Sequence, residues 1–435
     1  MLALFLAAGL SLAVMVVPRR STYALYIASL LTTEFAYIEV GGGIARPYHL
    51  PSLIVIVQLG RYLPQLLRTR TAKALMAFVG INVVAVVMAD RPTQAATSLL
   101  SLLANISVAT SVALILTSGK VSPASLKRIV LIGSVACALW SLTQIAAARI
   151  GLVLSLSEQQ ASQIAIGFGP GFRTEANTLA KFLVVPLLLF LPDYLGRTRL
   201  RLGWRYPVIV VAEVANFTRS ATLGLAAAAV YVLAWYARRG REEVVLRSAI
   251  KIGAVAAAVL ILALTGTIAF SDYALYKVQN LWNAEELLAG GSSAHRIDMM
   301  AIVVSETLAS TKRMLIGNGW GQTIVFVSGV EVQAGGGDIV NVFGYSGAMG
   351  AAAYGWLIVS AARAARRLAR VGADLELSRF AAGSLFSLVA VAITAQMAGY
   401  LVAPEFWLLV GSCAFFDRYL TAPSFSPGSR ITRGR

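Results

Sequence analysis

Three arginines stand at or near the start of helical segments: Arg173, Arg219 and Arg296. A guanidinium group binds phosphate oxygens through two parallel hydrogen bonds and stays charged at any physiological pH. A single arginine at the end of a membrane helix more often snorkels to the interface or pairs with a carboxylate. Three arginines from three segments that could converge indicate a site for an anionic ligand, and a lipid-linked diphosphate fits.

Carboxylates near these arginines are candidates for proton transfer. Glu175 lies two residues after Arg173. Asp298 stands in the same relation to Arg296, and Asp338 lies farther along, just before an apolar segment. A partly desolvated carboxylate with a raised pKa can accept a proton from a hydroxyl group. The alternative for each is a solvated loop residue or a partner for an arginine.

Other polar residues carry less weight. Glu34, Glu39 and Glu213 lie in or near apolar segments and can mark a polar cavity. His295 is a weaker candidate for the proton acceptor. Alternatively, it makes a polar contact at the surface. The chain has two histidines, and its carboxylates show no Asp-x-Asp pair, so we expect no metal and no cofactor.

The elements that must position these residues are membrane helices. Of the 435 residues, 58% are hydrophobic and 13% are charged, whereas soluble domains are about half apolar and about a quarter charged. Apolar runs about as long as a bilayer core is thick recur along the chain. The net charge of +17 is concentrated in short loops between these runs, which indicates membrane topology rather than a nucleic-acid partner.

We predict an all-α polytopic membrane bundle, with residues 1–435 as a single domain of about 12–13 transmembrane helices. The predicted segments lie near 2–17, 22–39, 51–67, 73–90, 95–117, 126–147, 179–195, 205–218, 221–237, 248–270, 339–361, 380–400 and 404–421.

Basic clusters alternate along the predicted loops and predict the sidedness of the chain. They begin at Arg19, Arg68, Lys120, Arg197, Arg238 and Arg363. Because such clusters remain in the cytoplasm, the N-terminus is expected outside and the C-terminus inside, in a bacterial inner membrane. Arg173, Arg219 and Arg296 then lie on the outer, periplasmic side. Arg46, Arg91 and Arg149 also fall there.

Two outer loops are long, at 148–178 and 271–338. The second is expected to be a large periplasmic loop with amphipathic helices on the membrane surface. Within 294–310, apolar residues are spaced as on one face of a helix: Ile297, Met300, Ala301, Val304 and Leu308. The glycines at 317–321 follow a helix without a Gly-Lys-Ser/Thr sequence, so they predict a turn rather than a phosphate-binding loop.

Three short stretches resemble the O-antigen ligase and polymerase superfamily of membrane glycosyltransferases. Residues 172–177, Phe-Arg-Thr-Glu-Ala-Asn, are similar to that family's Arg/Pro-Asn stretch before a helix. Residues 217–224, Phe-Thr-Arg-Ser-Ala-Thr-Leu-Gly, resemble its Thr-x-Ser-Arg-x-x-x-Leu-Gly segment. Arg296 followed by Leu-Ile-Gly-Asn-Gly at 315–319 resembles its order of arginine, amphipathic helix and glycine-rich turn. The resemblance covers residues 90–400.

The chain departs from the family's ligases at one motif. A Gly-x-x-Gly is present at 347–350, but the expected His-Asn before it is replaced by Gly336-Gly337, with Asp338 and Asn341 just beyond. This departure favours a polymerase of surface polysaccharide repeat units carried on undecaprenyl diphosphate. The resemblance implies a metal-independent transfer with Arg173, Arg219 and Arg296 stabilising the leaving diphosphate.

Two alternatives stay open. A ligase would use the same site but pass the glycan to a lipid A core or a protein. A lipid-linked oligosaccharide flippase or transporter would also need many helices, but paired broken helices and internal repeats, which are typical of transporters, are not evident in the sequence. The expected partners are undecaprenyl-diphosphate-linked glycans, membrane lipid and a protein that regulates chain length.

Overall fold

The computed structural model describes residues 2–17, 19–40, 43–195, 203–216, 218–240, 243, 291–322, 324–327, 330–333, 337–371 and 374–422. Most of these residues are helical. The helices are α1 Leu2–Val16, α2 Arg20–Thr32, α3 His49–Leu59, α4 Leu63–Leu67, α5 Arg70–Val87, α6 Pro92–Thr117, α7 Pro123–Arg149, α8 Glu158–Ala165, α9 Ala176–Leu189, α10 Leu191–Leu195, α11 Arg205–Ala215, α12 Arg219–Ala237, α13 Gly291–Leu308, α14 Thr311–Ile316, α15 Asp338–Val371, α16 Leu375–Ala398 and α17 Pro404–Thr421.

Two short antiparallel hairpins accompany the helices. In the first, β1 (Ile38–Val40) pairs with β2 (Gly43–Ala45), and in the second, β3 (Ile324–Val327) pairs with β4 (Val330–Gln333).

Within the described ranges, seven helical stretches are long and apolar enough to cross a membrane: His49–Leu67, Arg70–Val87, Pro92–Thr117, Pro123–Arg149, Arg219–Ala237, Asp338–Val371 and Leu375–Met397. A 3-10 turn at Gly60–Tyr62 joins α3 to α4 in the first of them. The predicted helices at 51–67, 73–90, 95–117, 126–147, 221–237, 339–361 and 380–400 are thereby confirmed. The predicted helix at 248–270 lies outside the described residues, and the larger count of spans stays a prediction.

The predicted segment 22–39 is wrong at its C-terminal end, because α2 stops at Thr32 and β1 follows. The Thr33 hydroxyl donates to the Ser29 carbonyl at 2.7 Å, a local bond that competes with a regular helix. The β-branched residues Ile38 and Val40 then favour a strand.

The segment predicted at 179–195 is also divided. It forms α9 and the short α10, with Phe190 between them.

Glycines let the central helices approach closely. A Cβ at Gly411 of α17 would lie 2.4 Å from the Ala109 carbonyl oxygen of α6, and one at Gly383 of α16 would lie 2.2 Å from that of Leu189 in α9. Small residues at crossings are how membrane helices gain packing contacts. These crossings form two closely packed helix pairs, α6 with α17 and α9 with α16.

The long helix α15 is interrupted at Gly347, whose φ of 63° and ψ of −163° are not helical. A Cβ there would lie 2.3 Å from the Leu315 carbonyl carbon, so the interruption lies directly against the end of α14. The predicted turn at 317–321 is confirmed, with positive φ at Gly317, Gly319 and Gly321. This turn and the interrupted helix pack backbone against backbone.

The described part of the predicted loop 271–338 begins at residue 291. The helix predicted over 294–310 is confirmed as α13, but its buried face differs from the predicted one. Met299, Val303 and Thr307 are buried, whereas Ile297 and Leu308 are exposed. The buried face packs on Val340 at the start of α15, and this packing decides which residues are covered.

Candidate functional site

The backbone at 397–402, which comprises the last residues of α16 and the loop toward α17, is bound by charged side chains from four other parts of the chain. We call it the 397–402 segment. Three basic side chains donate to its carbonyl oxygens: Arg296 to Met397, Lys181 to Gly399 at 3.3 Å and Arg46 to Val402 at 2.8 Å. Carbonyl groups in the last turn of a helix and in a loop have no helical donor, so these contacts fix the course of the segment.

Asp338, the first residue of α15, also binds the same segment. Its carboxylate accepts the Tyr400 N–H at 2.9 Å, the Leu401 N–H at 3.5 Å and the Tyr354 hydroxyl at 3.1 Å. Asp338 is 1% exposed. Its observed contacts are those of a residue that positions the backbone.

Arg173 lies at the centre of a buried ion network and is itself fully buried. Its Nη1 donates to Glu34 Oε2, and to Glu405 Oε2 at 3.2 Å. The other oxygen of Glu34 accepts Arg46 Nη2 at 3.3 Å. The Arg173 guanidinium also stacks over the Phe182 ring, 3.9 Å from its centroid. The network therefore joins the end of α2, the loop before α9 and the start of α17.

The charge of Arg173 is maintained by these partners. Burial lowers the pKa of its guanidinium, but the negative charges of Glu34 and Glu405 outweigh burial and hold the pKa above its ordinary value. The group is therefore a permanent cation inside the protein.

The loop that carries Arg173 is held by side-chain amides. The Gly169 N–H donates to Asn216 Oδ1 at 2.9 Å. Gln160 Nε2 donates to the carbonyl oxygens of Gly171, at 3.2 Å, and of Arg173, at 2.6 Å. Gly171 has a φ of 65°, which glycine adopts without strain. This loop presents Arg173 to the network in a fixed position.

Arg219 begins α12 and is half-buried. Gly224 of α12 packs on Thr394 of α16, and Tyr231 packs on Phe386 at 6.2 Å between ring centroids. The two helices therefore run antiparallel, and Arg219 lies at the end of the bundle where α16 meets the 397–402 segment.

The remaining predicted site residues lie on the surface of this region. Arg296 and Asp298 are exposed on α13, and Arg296 reaches the Met397 carbonyl. Glu175 precedes α9 and accepts a hydrogen bond from Gln159 at 2.7 Å. The side chain of His295 lies outside the described part of the chain.

Lys181 connects the predicted residues. It stands within electrostatic reach of Glu405, Asp338 and Arg296, and its ammonium group lies 5.5 Å from the centroid of the Tyr400 ring. Arg173, Arg296 and Asp338 are therefore contributed by separate elements to one polar region.

Sequence reasoning missed four members of this region or gave them little weight: Glu34, Arg46, Lys181 and Glu405. The available signal was the same for all of them, a charged residue within or next to an apolar segment. Of the other acids, Glu213 is 6% exposed, and its Oε2 has no hydrogen-bond partner among the described residues. The side chain of Glu39 is not among those described.

Within the described ranges, no group of three or more histidine, cysteine, aspartate or glutamate side chains could hold a metal ion. What the site offers is a set of guanidinium and ammonium groups, together with carboxylates that orient them. Such an arrangement can bind oxyanions and stabilise developing negative charge.

Comparison of the sequence with protein-family models finds no match, and comparison with curated proteins finds no significantly similar sequence.

Proposed function

We propose that this chain is a membrane glycosyltransferase that polymerises oligosaccharide repeat units carried on undecaprenyl diphosphate, at the periplasmic side of a bacterial inner membrane. The observation that carries the proposal is the buried guanidinium of Arg173. Two carboxylates hold its Nη1, while its Nε and Nη2 have no acceptor among the described residues. An arginine edge of this kind binds two phosphate oxygens together. Helices of membrane length suit a substrate carried on a lipid.

In the proposed reaction, a sugar hydroxyl on one carrier attacks the anomeric carbon of the glycan on another carrier. A carbon–oxygen bond forms to the acceptor, and the bond from the anomeric carbon to the diphosphate oxygen breaks. The hydroxyl proton passes to a base, and the diphosphate leaves with the electron pair. Fixed guanidinium groups at Arg173, Arg219 and Arg296 would stabilise that charge, which is usually a large contribution to catalysis.

The three candidate carboxylates have different surroundings. Asp338 already accepts hydrogen bonds from Tyr400, Leu401 and Tyr354, which favours a positioning role. Glu175 and Asp298 are more accessible and lie beside the proposed diphosphate-binding arginines in sequence. We assign the proton-accepting role to one of these two, since a base must reach the acceptor hydroxyl.

Analysis of surface polysaccharide from a strain lacking this chain tests the proposal. The proposal expects a single repeat unit attached to its acceptor, with long polymer restored when the wild-type chain is supplied. Full-length polymer that accumulates on the carrier lipid would instead support a ligase and contradict a polymerase.

A further inference from the structure

Hydrogen-bond donors outnumber acceptors in one buried part of the site. Arg46 Nε and Arg173 Nε and Nη2 have no acceptor in the described part of the chain, and the Tyr48 hydroxyl, whose oxygen faces the Arg46 guanidinium, has no acceptor for its proton there. Arg46 is 8% exposed, and Tyr48 and Arg173 are fully buried. Both oxygens of Glu34 and the Oε2 of Glu405 are already bound to Arg46 Nη2 and Arg173 Nη1.

Such an imbalance is unusual, because buried polar groups in folded proteins nearly always have partners. Leaving a donor unsatisfied costs free energy, and the cost is larger for a charged group. The missing counterpart here is a group rich in acceptors. Phosphate oxygens are acceptors only, so they match a set of guanidinium and hydroxyl donors.

The three side chains share one location. Glu34 binds Arg46 with one oxygen and Arg173 with the other, so the two guanidinium groups lie on either side of a single carboxylate. The Tyr48 oxygen lies against the Arg46 guanidinium, and Tyr48 is within electrostatic range of Arg173. Burial raises the pKa of its phenol, although the positive charges of Arg46 and Arg173 lower it, and the net rise keeps the hydroxyl a neutral donor at physiological pH.

We propose that Arg46, Tyr48 and Arg173 form one buried oxyanion site that takes the phosphate oxygens of a diphosphate. This inference rests on the proposed function and deepens it, since it adds Arg46 and Tyr48 to the groups that contact the substrate. Glu34 and Glu405 act as positioning residues that turn the unpartnered edge of Arg173 toward the ligand.

The test uses the full-length protein purified in detergent, with farnesyl diphosphate and inorganic diphosphate as probes. Tyr48→Phe removes only the hydroxyl, whose proton has no acceptor to lose and whose oxygen faces the Arg46 guanidinium, so the melting temperature without probe should change little. The dissociation constant for farnesyl diphosphate should increase about tenfold or more, as expected for loss of a hydrogen bond to a charged group. Arg46→Lys should show a loss of the same order.

Tyr26→Phe is the matched control. The Tyr26 hydroxyl is fully buried and bonded to Ser52 and Ser111, each at 2.6 Å. Its removal should lower the melting temperature and leave the affinity for farnesyl diphosphate unchanged. Tyr48→Phe should therefore reduce the affinity for farnesyl diphosphate without a loss of stability, whereas Tyr26→Phe should reduce the stability without a loss of affinity.

Much tighter binding of farnesyl diphosphate than of inorganic diphosphate identifies a lipid headgroup as the ligand, whereas equal affinities identify the free anion. Wild-type affinity in both Tyr48→Phe and Arg46→Lys would overturn the site, as would failure of the wild-type protein to bind either probe. If Tyr48→Phe loses binding while the deletion strain still makes polymer, the site stands and the proposed polymerase does not. If Arg173→Lys abolishes polymer while Tyr48→Phe and Arg46→Lys both bind as wild type, the polymerase stands and the site does not.

Discussion

The Glu34 carboxylate binds two guanidinium groups, and it compensates the positive charge of both arginines. Arg46 also donates to the Val402 carbonyl, and Arg173 also pairs with Glu405. Loss of the Glu34 charge would leave both cations with less compensation in a buried setting. Removing one partner of a buried ion pair is far more costly than removing one at the surface.

Glu34→Gln should therefore lower the free energy of unfolding by about 3 kcal/mol, because it leaves buried positive charge uncompensated. The measurement is unfolding of the purified protein by sodium dodecyl sulfate, followed by circular dichroism. Asp90→Asn is the control, since Asp90 pairs with Arg313 at 3.2 Å but is 67% exposed, and its loss should cost less than about 1 kcal/mol. Equal effects of the two substitutions would contradict the assignment of Glu34 as the centre of the network.

At the scale of residues, the sequence predicted Arg173, Arg296 and Asp338 as site residues but gave little weight to Glu34 and missed Glu405, the two partners of Arg173. An arginine at the start of a helix and a carboxylate before an apolar run can both be recognised from local sequence. The pairing of Arg173 with Glu34 and Glu405 joins residues 139 and 232 positions apart, and no local pattern specifies it. Only the packing of α2, α9 and α17 brings these groups together.

At the scale of elements, the break in α15 sets how the start of that helix meets the site. Asp338 begins the part before Gly347, and the part after it continues as a membrane-length helix. The carbonyl oxygens of Gly344 and Tyr345 at the break accept N–H groups from Asn318 and Gly319, each at 3.0 Å. The glycine-rich turn thus supplies the bonds that the interrupted helix lacks.

Gly347→Ala should lower the free energy of unfolding by about 3 kcal/mol or more, since its backbone conformation is essentially restricted to glycine and a Cβ would clash. Gly355→Ala, in the same helix, is the control because a Cβ there meets no atom within 4 Å. That substitution should be neutral or stabilise the helix by up to about 1 kcal/mol. Thermal unfolding of both variants in detergent compares them, and a Gly347→Ala protein as stable as wild type would exclude a fixed break.

Hydropathy was enough to predict the long helices, because a continuous apolar run of membrane length has few other stable forms. It was not enough for α2, where the threonines at 32 and 33 and a following hairpin shortened the helix. Hydropathy also missed the break at Gly347. A single glycine in an apolar run lowers helix stability but does not specify that the helix is interrupted there. For α13 the period was correct, and packing on α15 selected a different buried face.

For the whole molecule, the proposal requires that the site lie on the periplasmic side of the membrane and the basic clusters on the cytoplasmic side. Ser305 is exposed on α13, and Arg238 is exposed at the end of α12. The two native cysteines, Cys137 and Cys413, are buried and should not react with an impermeant thiol reagent. Single cysteines at the two exposed positions therefore report the sidedness directly.

In intact spheroplasts, Ser305→Cys should be labelled by the impermeant reagent, while Arg238→Cys should be labelled only after the membrane is permeabilised. The expectation follows from retention of basic clusters in the cytoplasm. Labelling of Arg238→Cys but not Ser305→Cys in intact spheroplasts would reverse the topology and place the arginine region on the wrong side for a periplasmic polymerase.

The most direct test of the polymerase proposal replaces Arg173, Arg219 and Arg296 singly by lysine. Lysine keeps one positive charge for nearby carboxylates but cannot offer the two parallel donors that a phosphate binds. Arg238→Lys serves as the control, because a basic residue in a topogenic cluster needs only its charge.

The measurement is the length of surface polysaccharide on a gel, from deletion strains that carry each variant at equal membrane levels. We expect each of the three substitutions to leave mostly single repeat units, and Arg238→Lys to give wild-type polymer. Wild-type polymer from all three variants would contradict a diphosphate site built from these arginines.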